Sequence, residues 1–109
     1  MRTYSQFHGE IPVHYIGKEL RVIAAKKQAF KIITGYGSNT GQSLSKNAAL
    51  KSLRRMRREG VIKDYIPGEM VTELIINSAD YYLTVRYKYW AELSKDRDKG
   101  NDGVIFVFC

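Results

Sequence analysis

Residues 30–60, FKIITGYGSNTGQSLSKNAALKSLRRMRREG, decide the fold. They begin with Phe30–Thr34, a short run whose residues favour β-strands. Glycines and small polar residues then indicate a loop. A pattern with helical spacing follows from Ser43 or Ser45, both good N-caps, to Gly60, a common C-terminal stop. The sequence therefore predicts a strand, a glycine loop and a helix in succession.

The flanking segments continue this alternation. Thr3–Phe7 contains the β-formers of a short strand, and Pro12–Lys27 has apolar residues at helical spacing behind a proline that suits a first helical turn. Val61–Ile66 alternates like a strand, which Pro67 is expected to terminate. Val104–Phe108 is a continuous apolar run, which predicts a strand buried on both faces.

Residues 78–95 fit two descriptions. Four residues have helical spacing: Tyr82, Val85, Tyr89 and Leu93. Alternate residues from position 81 to position 89 fit a strand equally well, but the length of the segment favours a helix. The element order is then β-α-β-α-β, this segment, and a last β. That order predicts one α/β domain over residues 1–109, an α+β sandwich with parallel strand pairs.

The composition is that of an ordinary globular domain with a strong positive charge. The 109 residues are 44% apolar and 27% charged, enough for one modest core. The net charge of +7 favours association with polyanions. The chain lacks the roughly 18 consecutive apolar residues of a membrane span and the apolar block of a secretory signal. The single cysteine, Cys109, suits a reducing compartment, so we expect a cytoplasmic protein without a membrane partner.

The glycine loop and the helix after it are candidates for phosphate contact. Gly35 and Gly37 allow positive φ and the close approach of an oxygen-rich ligand, to which exposed backbone N–H groups can donate. Six cations follow on the helix: Lys46, Lys51, Arg54, Arg55, Arg57 and Arg58. At about 100° per residue, four of them share a face away from Leu53 and Met56. The alternative is a solvated helix face behind a tight turn, since the loop completes neither a Walker motif nor a dinucleotide fingerprint.

Taken together, these motifs resemble the Smr domain, the small MutS-related module. The resemblance rests on a loop like the family's TGxG or HGxG motif, on the strand after the basic helix, and on a closing strand behind a glycine-rich turn. In this sequence they are Ile32–Gly37, Gly60–Tyr65 and Gly100–Val107. The resemblance covers residues 4–68 and 100–108. Residues 69–99 have no counterpart in a minimal domain and are predicted to be an insertion.

The resemblance implies a βαβαββ-type sandwich, similar to the C-terminal domain of a bacterial translation initiation factor, with an inserted helical segment before the last strand. It also implies nucleic-acid binding and, in some members, metal-assisted endonuclease activity. Gln6-Phe7-His8-Gly9 takes the place of the family's Asp-x-His-Gly signature. His8 is then the candidate acid or base, whereas Gln6 cannot ionise or bind a cation strongly. Mg²⁺ or Mn²⁺ is expected only for a nuclease.

Three functions are therefore open. The preferred one is binding of the DNA or RNA backbone with weak or no cleavage. The second is a metal-stimulated endonuclease that uses His8, and the third is a protein- or ribosome-interaction module that makes contact through residues 69–99. The first assigns phosphate contact to Thr34, Gly35, Tyr36, Gly37, Lys46, Lys51, Arg54 and Arg58. Tyr36 is also expected to stack on a base or sugar, whereas the aromatic residues at positions 81–90 are expected to pack rather than stack.

Overall fold

A four-stranded mixed sheet forms the centre of the molecule in the computed structural model, which describes residues 1–35, 44–73 and 80–109. Its strands are β1 (Arg2–Tyr4), β2 (Phe30–Ile33), β3 (Asp64–Pro67) and β4 (Val104–Phe108), in the spatial order β1-β2-β4-β3. β1 is parallel to β2, and β4 is antiparallel to both β2 and β3. The mixed α/β class is thus confirmed, but the predicted parallel pairing holds only for β1 and β2, because the last strand of the sequence lies in the middle of the sheet and runs antiparallel to both neighbours.

Helices cover both faces of this sheet. On one face lie α1 (Ile16–Ala24) and α2 (Leu44–Arg58), and on the other lie α3 (Asp80–Lys88) and α4 (Trp90–Leu93). Residues in β4 divide between the two cores. Ile105 and Val107 pack with α1 and α2, whereas Phe106 and Phe108 pack with α3 and α4. The prediction that this strand is buried on both faces is confirmed, because α3 and α4 form a third layer on its second face.

Helical structure in residues 80–93 settles the choice between helix and strand. Tyr81, Tyr82, Tyr89 and Trp90 pack against the two cores, as expected for the aromatic residues of an added helix. Tyr87 differs, since it is 88% exposed on α3. Residues 74–79 fall outside the described part of the chain.

Three predicted elements have different boundaries in the structure. The first strand is Arg2–Tyr4 rather than Thr3–Phe7, because the chain turns after Tyr4 and buries Phe7 completely beside the helices. The first helix begins only at Ile16, after a 3₁₀ turn at Val13–Tyr15, and it ends at Ala24. The third strand is Asp64–Pro67 rather than Val61–Ile66, so it begins later than predicted and includes the proline. Proline is tolerated there because β3 lies at the edge of the sheet.

The helix α2 is closed and positioned by two glycines. At its C-terminus, Gly60 has φ +77° and donates to Arg57 O at 3.1 Å, while Val61 N–H donates to Met56 O at 2.9 Å. This pair of hydrogen bonds is a Schellman motif, so the predicted glycine stop is confirmed. On α1, a Cβ at Gly17 would lie 2.9 Å from Ser52 Oγ. The glycine therefore allows α1 and α2 to pack closely.

A buried ion pair joins the third layer to the sheet. Lys31 lies in β2, and its side chain is 6% exposed. Its ammonium group donates to Asp96 Oδ1 at 2.8 Å and lies 2.7 Å from Asp98 Oδ2. Burial acts to lower the pKa of Lys31, but the hydrogen bonds to Asp96 and Asp98 outweigh it and raise that pKa above its usual value. The chain segment that follows α4 is thereby held on the sheet.

Candidate nucleic-acid interface

Five chain segments converge at one edge of the sheet. The carboxyl ends of β1, β2 and β3 and the amino end of β4 lie there, because β4 runs antiparallel to its two neighbours. The first turn of α2 reaches the same edge through Lys46. The residues that define this loop edge are His8, Thr34, Gly35, Lys46, Glu69, Asp102 and Gly103.

Thr34 and Gly35 form the start of the glycine turn and are fixed by the segment before β4. The Thr34 N–H donates to Gly103 O at 2.8 Å, and its hydroxyl donates to the same oxygen at 3.4 Å. Thr34 is 2% exposed, and Gly35 adopts φ +72°. Gly103 also approaches Gly35 closely, since a Cβ at Gly103 would lie 3.6 Å from Gly35 Cα. Thr34 and Gly35 are therefore both held against the segment before β4.

His8 lies directly against this turn. A Cβ on Gly35 would lie 2.5 Å from both Cδ2 and Nε2 of the His8 ring, so the imidazole occupies the space that any other side chain would need. The buried Phe7 and the hydrogen bond from His8 N–H to Ser5 O (3.2 Å) hold the histidine there. The ring is exposed, and its nitrogens have no hydrogen-bond partner within the described ranges. His8 of the N-terminal motif and Gly35 of the loop motif are thus in contact.

Lys46 connects the other segments of the loop edge. Its ammonium group donates to both carboxylate oxygens of Glu69 at 2.8 Å and to Asp102 O at 2.8 Å. The lysine was predicted as a phosphate contact from its place on the helix. It lies in the first turn of α2, and these bonds join α2 to the segments after β3 and before β4.

The exposed side of α2 carries the cationic strip, which we define as Lys51, Arg54 and Arg58. All three side chains are exposed, and none pairs with a carboxylate in the part of the chain that the structure describes. Arg55, predicted on the same face, forms an ion pair with Glu59 at 3.3 Å. Arg57 lies nearer the sheet and contacts Asp64 Oδ1 at 3.4 Å. The strip therefore offers three cations to an anionic ligand.

Two predicted binding residues, Tyr36 and Gly37, lie outside the described residues. Gln6 is half-buried two residues before His8. Among residues 1–35, 44–73 and 80–109, no group of three His, Cys, Asp or Glu side chains is arranged to hold a metal ion.

A pocket beside α2 contains residues that the sequence did not single out for binding. This Arg–Tyr pocket has a volume of about 220 Å³ and is lined by Arg54, Arg57, Arg58, Tyr65, Tyr81 and Tyr82. The tyrosines come from β3 and α3, so the pocket exists only because α3 packs beside β3. The signal in the sequence was the aromatic pair at positions 81 and 82, for which core packing was expected.

The buried Asp64 of β3 is hydrogen-bonded to two tyrosines, one in α3 and one that follows it. Its carboxylate accepts hydrogen bonds from the hydroxyls of Tyr81 (3.1 Å) and Tyr89 (2.8 Å) and from the Lys88 ammonium group (3.1 Å). Burial acts to raise the pKa of Asp64, but hydrogen bonds from Tyr89, Lys88 and Tyr81 outweigh it and leave that pKa below its usual value. Asp64 is therefore a buried, ionised acceptor that fixes α3 to β3.

Comparison with known proteins found no matching family model, no matching curated protein and no matching solved structure. The resemblance to the Smr domain therefore rests on the sequence motifs and stays a prediction, as does the description of residues 69–99 as an insertion. Within the described residues, no helix is long and apolar enough to span a membrane.

Proposed function

We propose that this chain binds DNA or RNA through the phosphate backbone, using the loop edge and the cationic strip. The observation that carries the proposal is the contact between His8 and Gly35. It places an exposed imidazole, which has no hydrogen-bond partner among the described residues, directly against Gly35, and the basic helix α2 begins nine positions later in the chain. Gly35 is itself buried, with φ +72°, so the exposed group that an anionic oxygen can approach here is the His8 ring.

The distribution of charge supports a polyanionic ligand. The chain has a net charge of +7, and the cationic strip extends along α2 away from the loop edge. Lys51, Arg54 and Arg58 recur at spacings of three and four residues, so they follow one side of the helix. Such side chains contact phosphates and position the ligand without reading its sequence. The proposal therefore makes no claim of sequence specificity.

Binding should depend steeply on salt, and this dependence should involve the strip. Changing Lys51, Arg54 and Arg58 to Gln in one variant removes about three phosphate contacts. The negative slope of log K against log[salt] should therefore become shallower by roughly 2–3. Fluorescence anisotropy of a labelled oligonucleotide across a salt series measures this slope.

The matched control removes the same charge elsewhere. Lys63, Lys95 and Lys99 are exposed outside the strip, so changing all three to Gln should leave most of the slope intact. Equal losses in the two triple variants would contradict a defined interface, and an absence of binding at low salt would overturn the proposed function.

A second candidate function is phosphodiester cleavage with His8 as general acid or base. The exposed His8 ring beside the turn favours it. General acid–base catalysis contributes about 10²–10⁴-fold, so His8→Ala should reduce any cleavage measured with Mg²⁺ or Mn²⁺ by a factor in this range. The chain offers its own control, since the second histidine, His14, is exposed and lies 4.4 Å from the Tyr15 ring. Cleavage that survives His8→Ala, or that falls equally in His14→Ala, would eliminate this function.

A further inference from the structure

We infer that the Arg–Tyr pocket holds one unpaired nucleotide, with its phosphate on Arg54 and Arg58 and its base against the tyrosines, so that the chain prefers single strands to duplexes. This inference rests on the proposed function and adds to it a preference for one form of nucleic acid. The pocket also lies away from the loop edge, so it would be a second point of contact.

The walls of the pocket supply both kinds of contact that a nucleotide needs. Tyr65, Tyr81 and Tyr82 pack together with ring centroids 5.4–5.9 Å apart, and they leave a concave aromatic surface. Arg54 and Arg58 line the same pocket and have no carboxylate partner within the described chain. Stacking of bases on aromatic rings and contact of cations with the backbone are together typical of single-strand binding.

The third arginine has a different role. Arg57 lies over the Tyr81 ring, with its guanidinium carbon 4.3 Å from the ring centroid, and its Nε donates to Asp64 at 3.4 Å. Its charge is therefore shared with the buried carboxylate, and its position stiffens the aromatic wall. Burial, together with a hydrogen bond between the Tyr82 and Tyr65 side chains, raises the pKa of Tyr82 above its usual value.

The size of the pocket excludes a base pair. Its volume of about 220 Å³ leaves room for one base, whose sugar and phosphate would lie outside it against Arg54 and Arg58, but not for a base pair. The tyrosine surface is also accessible only to a base whose faces are free. A duplex keeps its bases stacked on one another, and it would therefore contact only the strip.

The spacing along α2 allows one strand to reach both places. From Lys46 to Arg54 and Arg58 the helix rises by about 12–18 Å, at 1.5 Å per residue. A stacked strand advances about 3.4 Å per nucleotide, so this distance corresponds to roughly four or five nucleotides. Affinity should accordingly increase with oligonucleotide length up to about this size and then level off.

The test compares single-stranded and duplex oligonucleotides of equal length by fluorescence anisotropy. Tyr82→Leu keeps the charge and the apolar volume but removes the stacking ring, so single-strand affinity should fall by about 5–150-fold while duplex affinity is unchanged. Tyr87→Leu is the matched control, because Tyr87 is an exposed tyrosine of the same helix outside the pocket. It should bind like the unaltered chain.

A second measurement keeps the test valid if Tyr82→Leu fails to fold. Photo-crosslinking of the unaltered chain to a single-stranded oligonucleotide, followed by mass spectrometry, should place crosslinks at Tyr81 or Tyr82. Equal affinity for both forms of nucleic acid, or an absence of crosslinks at Tyr81 and Tyr82, would overturn the inference and leave the proposed function standing. A failure to bind either form would instead overturn the proposed function.

Discussion

Lys31→Met should lower the free energy of unfolding by about 3–5 kcal/mol, the usual cost of breaking a buried ion pair from one side. Methionine keeps the length of the side chain, but it leaves Asp96 and Asp98 without their shared cation. Their side chains are only 14% and 18% exposed, so water restores little of the lost interaction. A domain of this size has a total stability of roughly 5–15 kcal/mol, so the variant should unfold at much lower urea concentration.

A mutant cycle separates the ion pair from the general cost of substitution. Replacing Lys31 with Met and both aspartates with Asn should cost less than the sum of the lysine and aspartate changes, because no buried charge is left unpaired. Lys63→Met, at an exposed position, should have little effect. Additive losses across the cycle would show that the three side chains do not act together.

The ion pair between Lys31 and Asp96 also makes the stability of the folded chain depend on pH. Burial acts to raise the pKa of Asp96, but the hydrogen bond from Lys31 outweighs it and lowers that pKa. A lowered pKa stabilises the folded chain above the unfolded pKa of about 3.9, and this contribution is lost as the pH falls through the folded value. The gap in stability between the unaltered chain and Lys31→Met should therefore narrow in acid.

Gly35→Ala should damage both the turn and the proposed interface. Alanine at φ +72° is strained by roughly 1–2 kcal/mol, and its methyl group would overlap the His8 ring. The imidazole must move, and nucleic-acid binding should weaken by roughly tenfold, or about 1.4 kcal/mol. Urea unfolding and fluorescence anisotropy measure the two effects on the same sample.

Gly60 provides a close control for this substitution. It has φ +77°, but a Cβ there would meet nothing within 4 Å. Gly60→Ala therefore has the backbone strain without the collision, and the difference in stability between the two variants isolates the contact with His8. The double variant with His8→Ala should recover that difference. Equal stability loss and unchanged binding in Gly35→Ala and Gly60→Ala would show that the contact between His8 and Gly35 contributes neither to stability nor to binding.

Sequence patterns located the elements that depend on local periodicity. The apolar run at Val104–Phe108 and the helix closed by Gly60 lie where they were predicted, because burial and a glycine cap act within a few residues. The boundary at Pro67 was wrong because tolerance of proline depends on whether a strand lies at an edge, which is a property of the whole sheet. The role of Lys31 was hidden for a similar reason, since its partners are 65 and 67 positions away.

The candidate site also has a part that could be predicted from the sequence and a part that could not. His8 and Thr34–Gly35 could be linked before the structure was known because both belong to short motifs, and the fold brings them together. The Arg–Tyr pocket could not, because it forms between α2 and a helix that begins about twenty positions after α2 ends. No periodicity within either helix indicates which of its faces will meet the other.

The central position of β4 also determines when the loop edge can form during synthesis of the chain. β2 and β3 do not pair with each other, and each depends on β4, which follows both in the chain. A growing chain that lacks β4 would therefore hold only the β1–β2 pair. The hydrogen bonds from Thr34 to Gly103 span 69 positions, and loop closure over such separations slows folding. Thr34 and Gly35 thus reach their final positions only after β4 has been synthesised, so a partly made chain would not yet have a complete loop edge.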